Sequence, residues 1–327
     1  MTQQETFISI GYFGKVPTRG DFIKATDNTD LIGMVDEWLT RSMELLASDP
    51  RWKSVYDNVT PMHFVIAATR TPHAIAGHLV ASRDQADRRF PFISLGSLLI
   101  PQPTEFLQYS PLVLGQLWNR LERQTNLVMQ APDASEALQQ LCASDILLDL
   151  RAQTHHSTFA DFLENHTMSA LERLLTQDGY NLNLRQTILA LGLLLLPVMA
   201  SGTNRIDKSL ILPLPNDLCH KYFVAAFWMH LVAPFLRKAD FELALIMTRL
   251  QGNHVMVIGF DGASARTLQA IMHPHLAQGH QIGFEDTQWV ENAISTDYRL
   301  ERLSSYLAQP TLQLDSSLSH FKEVFLG

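Results

Sequence analysis

The sequence predicts a mixed α/β protein of the α+β kind, organised as two small domains. Residues 1–178 read as an antiparallel sheet flanked by helices, and residues 179–327 as a smaller α/β unit with a hairpin and helices. Three observations predict this. Apolar stripes at helical spacing interleave with short apolar runs of strand length. Three of those runs follow one another between 63 and 100 with turn residues between them, the pattern of a meander. After a polar, glycine-containing break at 176–181, an order of strand, helix, hairpin and helix partly recurs. A length of 327 residues is also that of about two domains.

Taken in order, residues 7–13 form a short apolar run that enters the glycine-rich segment GYFGKVPTRGDF (11–22), as a first strand enters a loop. Leu31, Met34, Val35, Trp38, Leu39, Met43 and Leu46 then recur with helical period, and Asp36, Glu37, Arg41 and Glu44 lie off that stripe. The runs 63–69, 74–82 and 90–100 are separated by TRTPH and by RDQADR, both rich in turn-forming or charged residues. Helices are expected over 111–129, 134–143 and 158–177, and a buried helix over 184–199. A strand at 208–215 leads to a helix capped by Asn216 or Asp217 and kinked or ended at Pro234. The apolar runs 241–250 and 254–260 flank Gln251-Gly252-Asn253, a hairpin signal, and Ser264 caps a helix through Met272.

Composition excludes several classes. Apolar residues make up 46% and charged residues 18%, as in ordinary globular proteins. With 33 acidic against 25 basic side chains the net charge is −8, which argues against coating a nucleic acid through its phosphates. Cys142 and Cys219 stand alone, with no C-x-x-C pair for zinc or redox work, so a reducing cytoplasm is the expected compartment. The opening MTQQETFISI lacks the basic and apolar regions of a signal peptide. The longest greasy run, Ile188 to Ala200, is shorter than the roughly 20 residues of a bilayer span, and no membrane insertion is expected.

The glycine-rich segment does not have P-loop spacing, because Gly11, Gly14 and Lys15 miss the G-x-x-x-x-G-K-S/T pattern. The tripeptide Arg19-Gly20-Asp21 matches an adhesion motif too short to carry weight. On local chemistry alone the segment is a structural turn: glycine supplies positive φ, Pro17 fixes φ, and Asp21 can bond nearby amides. No G-x-S-x-G elbow or H-E-x-x-H helix occurs, so neither an enzyme nor a small-molecule substrate is expected. Among 13 histidines, the groups His155, His156, His166 and His273, His275, His280 lack a carboxylate or cysteine at ligand spacing, and neither a metal nor a cofactor is expected. The FDGAS segment at 260–264 reads as a capped strand-to-helix turn, and the aromatics of FVAAFWMHL as core.

The segment GYFGKVPTRGDF nevertheless resembles the signature G-x-x-G-K-x-P-x-x-G-D-F of the TagF (ImpM) family of type VI secretion accessory proteins. Asp36, Trp38 and Leu39 fall where that family has D-x-W-L, and Trp52 and Tyr56 where it has W-x-x-x-Y. Pro61 and Phe64 match a P-W-R-F strand start, with Met62 and His63 in place of tryptophan and arginine. Ser82, Asp84, Arg88, Phe90 and Pro91 reproduce S-x-D-x-x-G-R-x-F-P-L, with Asp87 where glycine is usual and Phe92 where leucine is usual. The resemblance covers residues 11–100, and beyond them only the order of elements is similar.

The resemblance implies a post-translational repressor of type VI secretion that acts by protein contact in the circuit of the forkhead-associated scaffold Fha. The first domain's element order also resembles longin-like or profilin-like αβα folds, an analogy of fold alone. Lys15, Arg19, Asp21, Asp84, Arg88 and Arg89 are the candidate partner-binding residues, all at the ends of expected strands. Two alternatives stay open. Asp21 or Asp84 can pair with Arg88 inside the domain and pin two loops, or Lys15, Arg19, Asp21 and Arg88 can grip a nucleotide or phosphoester.

Overall fold

The computed structural model describes residues 5–25, 28–143, 146–177, 179–201, 206–276 and 279–327. The first half of the chain forms β1 (Glu5–Ile8), β2 (Ile10–Gly14), β3 (Ile23–Ala25), α1 (Thr29–Leu46), α2 (Trp52–Tyr56), β4 (Met62–Ala68), β5 (His73–Val80) and β6 (Phe92–Leu99). It continues through α3 (Pro103–Gln130), α4 (Ser135–Cys142), β7 (Ile146–Asp149), α5 (Gln153–Asn165) and α6 (Met168–Thr176). The second half forms α7 (Leu184–Ser201), β8 (Ser209–Pro213), α8 (Leu218–Val232), β9 (Glu242–Leu250), β10 (Asn253–Gly259) and α9 (Ala265–Met272). Then come β11 (Gln281–Ile282), α10 (Val290–Ile294), α11 (Tyr298–Leu307) and α12 (Leu314–Phe325).

Nine of these strands make one mixed sheet in the order β11-β8-β10-β9-β4-β5-β6-β2-β3, and β1 pairs β7 in a separate ribbon. Only the β11–β8 contact is parallel among these pairings. The expected meander is present as β4-β5-β6, and the expected hairpin as β9-β10. Gln251 and Gly252 both adopt positive φ there (51° and 88°), as a two-residue primed turn requires.

The expectation of two separate sheets is corrected. β4 of the first half pairs β9 of the second, from His63↔Met247 to Ala68↔Glu242. Every residue of β4 is buried, which fits a strand covered on both faces in the middle of a large sheet. Asp178, at the expected boundary, lies outside the described residues, as do the first four of the chain.

Helices cover both faces. On one, Val35, Trp38 and Leu39 of α1 and Leu268 and Ile271 of α9 pack with Phe64, Ile66, Ile246 and Val257 of the sheet. On the other, Trp118 of α3, Trp228 of α8 and the apolar residues of α7 share a core with Val65, Ala76, Leu245 and Met256. The greasy run of 188–200 lies in α7, and Ile188, Leu189 and Leu191 are fully buried. No helix among the described residues is long and apolar enough to cross a membrane.

Two local expectations also change. The strand expected at 7–13 is two strands: β1 pairs β7 in the separate ribbon and β2 pairs β6 in the main sheet, with Ile8 packed close on Gly96, where a Cβ would meet its Cγ2 at 2.4 Å. The helix expected at 158–177 breaks at Thr167, whose hydroxyl caps α6 by accepting from Ala170 N. The other caps fall as expected: Asp217 accepts from Cys219 N and His220 N at the start of α8, and Ser264 occupies the cap position of α9.

Candidate partner-binding site

Two loops build the site, one following β2 (15–22) and one joining β5 to β6 (81–91). β2 and β6 are antiparallel neighbours with Gly14 opposite Phe92, so these loops leave the same end of the sheet. Gly14 makes the approach possible. Its φ is +128°, and a Cβ would lie 2.0 Å from Pro91 O, well inside contact distance. The next residue seals the junction, with Lys15 N donating to Pro91 O at 3.3 Å.

Asp84 is the centre of the cluster. Its carboxylate is fully shielded from solvent, and Oδ2 accepts from Lys15 Nζ at 2.8 Å and Arg88 Nε at 2.7 Å. Oδ1 accepts from the amides of Ala86 (3.0 Å) and Arg88 (2.9 Å). Burial by itself raises the pKa of such a carboxyl, but the Lys15 ammonium and the Arg88 amide and guanidinium outweigh it and hold Asp84 well below the usual carboxylate range. Lys15 is buried as well, with its ammonium 4.8 Å from the centroid of the Phe22 ring. Phe22 in turn packs edge-on against Phe90 and stacks on Phe13, which ties the two loops through aromatic contacts.

The turn from Asp84 to Arg88 closes through Asp87 N to Asp84 O (2.9 Å) and Asp84 N to Arg88 O (3.1 Å). Asp87 stands at φ +60°, in the left-handed region. This gives a physical reason for the glycine usual at that place in the TagF signature, and aspartate is one of the few other residues that tolerate the conformation. Arg88 reaches across with Nη2 to donate to the Gly20 carbonyl, and it lies 3.6 Å from Asp21 Oδ1. Gln85 N donates to Arg19 O at 2.9 Å, a second tie between the loops.

The remaining two arginines point elsewhere. Arg19 turns to Asp133 (3.4 Å) and to the Ser135 hydroxyl at the start of α4. Arg89 holds Asp57, just past α2, in a two-pronged contact of 2.8 and 2.7 Å. Beside it Tyr56, the tyrosine of the W-x-x-x-Y resemblance and not among the candidate site residues, is buried. Its hydroxyl accepts from Ser82 N at 2.9 Å and donates to Ser82 O at 3.2 Å, and burial pushes its pKa up.

Of the six expected residues, then, Lys15, Asp84, Arg88 and Asp21 come together, Arg19 joins through its backbone, and Arg89 makes a pair of its own. Lys15 and Asp84 are corrected from surface groups to internal ones: each neutralises the other inside the domain, because an unpaired buried charge there would be costly. Lys15 is thereby spent as a grip for a phosphoester. Among the side chains that the loops present to solvent are Arg19, Asp21, Arg83, Gln85, Asp87, Arg88 and half of Phe22. The pinning of two loops and an exposed face thus occur together, on different residues. Among the described residues no three histidine, cysteine, aspartate or glutamate side chains group in a way that could hold a metal ion.

Residues 11–144 match the family model of the TagF N-terminal domain, type VI secretion system-associated. No curated protein matches the chain. Among solved structures, the chain is similar to the crystal structure of PA0076 from Pseudomonas aeruginosa PAO1, at 23% identity and a TM-score of 0.36. That match spans 43% of this chain and 65% of the other, less than two thirds of its length. The signature loops of 11–22 and 82–91 and the buried cluster they form lie within residues 11–144, the part of the chain that matches the TagF N-terminal domain, type VI secretion system-associated.

Proposed function

We propose that the protein is a post-translational repressor of type VI secretion that works in the cytoplasm by binding and not by catalysis, with the Fha scaffold as its partner. The observation that carries this reading is the division of labour in the loop cluster. Asp84, Lys15 and the backbone fix the two signature loops rigidly, and Arg88, Arg19, Asp21 and Phe22 stand exposed on that fixed base. A rigid platform with a mixed charged and aromatic rim is the kind of surface that recognises another protein at little ordering cost. The match of residues 11–144 to a secretion-associated family model supports the same reading.

The test is genetic and biochemical together. Deleting the gene is expected to raise secretion and overproducing it to silence secretion, with unchanged amounts of the secretion components. A protein carrying Asp21→Lys, at an almost fully exposed position, is expected to melt within about 2 °C of the parent, since exposed loop changes shift stability little, and to lose capture of Fha and repression together. Full repression and full capture by that variant would remove the loop face from the mechanism.

A further inference from the structure

A cleft of about 540 Å3 opens where α3 and α8 meet β4, β5 and β9, away from the residues of the signature loops. Its lining is basic in a chain that is acidic overall: Lys221, Arg249, His63, His78 and His254 face one carboxylate, Glu122. Lys221 is only 6% exposed, yet among the described residues its ammonium makes no hydrogen bond or ion pair, and it lies 5.2 Å from the Tyr222 ring centroid. Glu122 is engaged elsewhere, with Oε2 3.5 Å from His63 Nε2.

His63 and His78 are opposite one another on β4 and β5, with their Nδ1 atoms 3.0 Å apart. His78 is 1% exposed, and its Nε2 is buried with no hydrogen-bond partner among the described residues. Two buried polar groups bordering one cleft, the Lys221 ammonium and His78 Nε2, therefore lack a hydrogen-bond partner among the described residues, although native interiors satisfy nearly all of theirs. Arg249, at an exposed position, donates Nε to His254 Nε2 at 2.9 Å, which holds its guanidinium at the rim.

From these residues we infer a second binding site: the cleft takes a dianionic phosphoryl group, carried by free phosphate or by a small phosphomonoester, between Lys221 and Arg249. Lys221 and Arg249 together outweigh the one carboxylate of the cleft, Glu122, and a phosphoryl group offers enough acceptor oxygens to meet both cations at once, which a carboxylate's two oxygens do less well. Lysine serves as a point-charge partner for phosphate, and a buried ammonium gains most from a counter-charge because it has already lost its water. The cleft's volume is within the range of small-molecule sites, so a monoester's organic part fits beside the phosphoryl group. This site is independent of the signature loops, and its ligand bears on the repressor reading only as a further input.

The experiment titrates the full chain with inorganic phosphate and with phenyl phosphate by calorimetry at constant ionic strength, with sodium chloride as the blank. One saturable site is expected, with phosphate binding lost by about tenfold in Lys221→Met and by about fivefold in Arg249→Gln, the scale of one charged contact. Arg249→Gln changes an exposed residue and keeps the test valid if Lys221→Met fails to fold. Phenyl phosphate binding more tightly than phosphate identifies a monoester as the ligand, and equal affinities identify free phosphate; both support the site. No saturable heat for either probe up to about 10 mM, or unchanged affinity in Arg249→Gln, overturns the proposal.

Discussion

Asp84 accepts from four donors at once, and removing its charge strands two cations, one of them buried. Asp84→Asn is therefore expected to lower the melting temperature by about 10 °C, since breaking a buried pair is among the larger single-residue effects. Arg88→Gln should cost much less, about 2 °C, because its side chain is more than half exposed and Lys15 still neutralises Asp84. Thermal melts of the two variants read both values, and an Asp84→Asn protein as stable as the parent would contradict the internal role. The sequence brought these residues together through two signature segments, with Lys15 and Asp84 69 positions apart, but not their depth. Charged side chains default to the surface. Only the close packing of Gly14 on Pro91 carries Lys15 inward, and that contact depends on the pairing of β2 with β6. The left-handed backbone of Asp87, at the glycine position of the signature, and the positive φ of Gly14 were both legible from residue type.

At the scale of elements, the β4–β5 pairing places two histidines face to face in the interior, and this makes the sheet sensitive to acid. Burial pushes the His63 pKa down and that of His78 down to about 3, helped by the neighbouring His63 ring. Glu122 of α3, Lys221 of α8 and Arg249 of β9 are the charged groups that face the pair. In the unfolded chain these imidazoles take a proton near the ordinary histidine value of about 6.5. Below that value the unfolded state binds more protons than the folded one, so stability is full above it and declines as pH falls toward the depressed folded pKa. Urea unfolding is expected to lose about 1 kcal/mol per pH unit for each such histidine between pH 6 and pH 4.5. His78→Phe should remove part of that slope, and His63 together with His230, which burial pushes down to about 4, should contribute to what remains. A slope unchanged by His78→Phe would show that the pair does not titrate as its burial requires. Other elements were legible to different degrees. The meander, the Gln251-Gly252 turn and the Asp217 cap carry local chemistry that the chain states outright. The division of β1 from β2, the short strands β7 and β11 and the break between α5 and α6 depend on contacts distant in sequence, which periodicity does not record.

For the whole molecule, the decisive feature is that one sheet runs through both halves of the chain. The length and the partial recurrence of strand, helix and hairpin suggested two independent units, but HFVIAAT (63–69) carried a contrary signal. A strand with one wet face alternates polar and apolar residues, whereas this run is apolar almost throughout, as a central strand covered on both faces must be. Its partner beyond the midpoint is β9, and further contacts cross with it: Trp38 Nε1 donates to Ser264 O at 3.3 Å, His273 Nε2 lies 3.0 Å from Asp49 Oδ2, and Thr60 and Thr248 hydroxyls meet at 2.9 Å. Cutting the chain at 178/179 would leave β4 and β9 as long, apolar, unpaired edges, and such edges drive aggregation. The fragments 1–178 and 179–327 are each expected to be insoluble or unfolded when produced alone, and to form a soluble one-to-one complex when produced together. The full chain should unfold in urea as a single transition by circular dichroism and by tryptophan fluorescence, because Trp38 and Trp118 of the first half and Trp228 of the second all pack against this sheet. Two separated transitions, or a 179–327 fragment that is soluble and cooperatively folded without its partner, would mean that the β4–β9 seam joins two finished domains. A single transition together with rescue by co-production would mean that the first half of this chain, which holds the stretch similar to the TagF N-terminal domain, needs the second half to complete its sheet, so that a truncation meant to isolate the signature loops would disturb the base on which they stand.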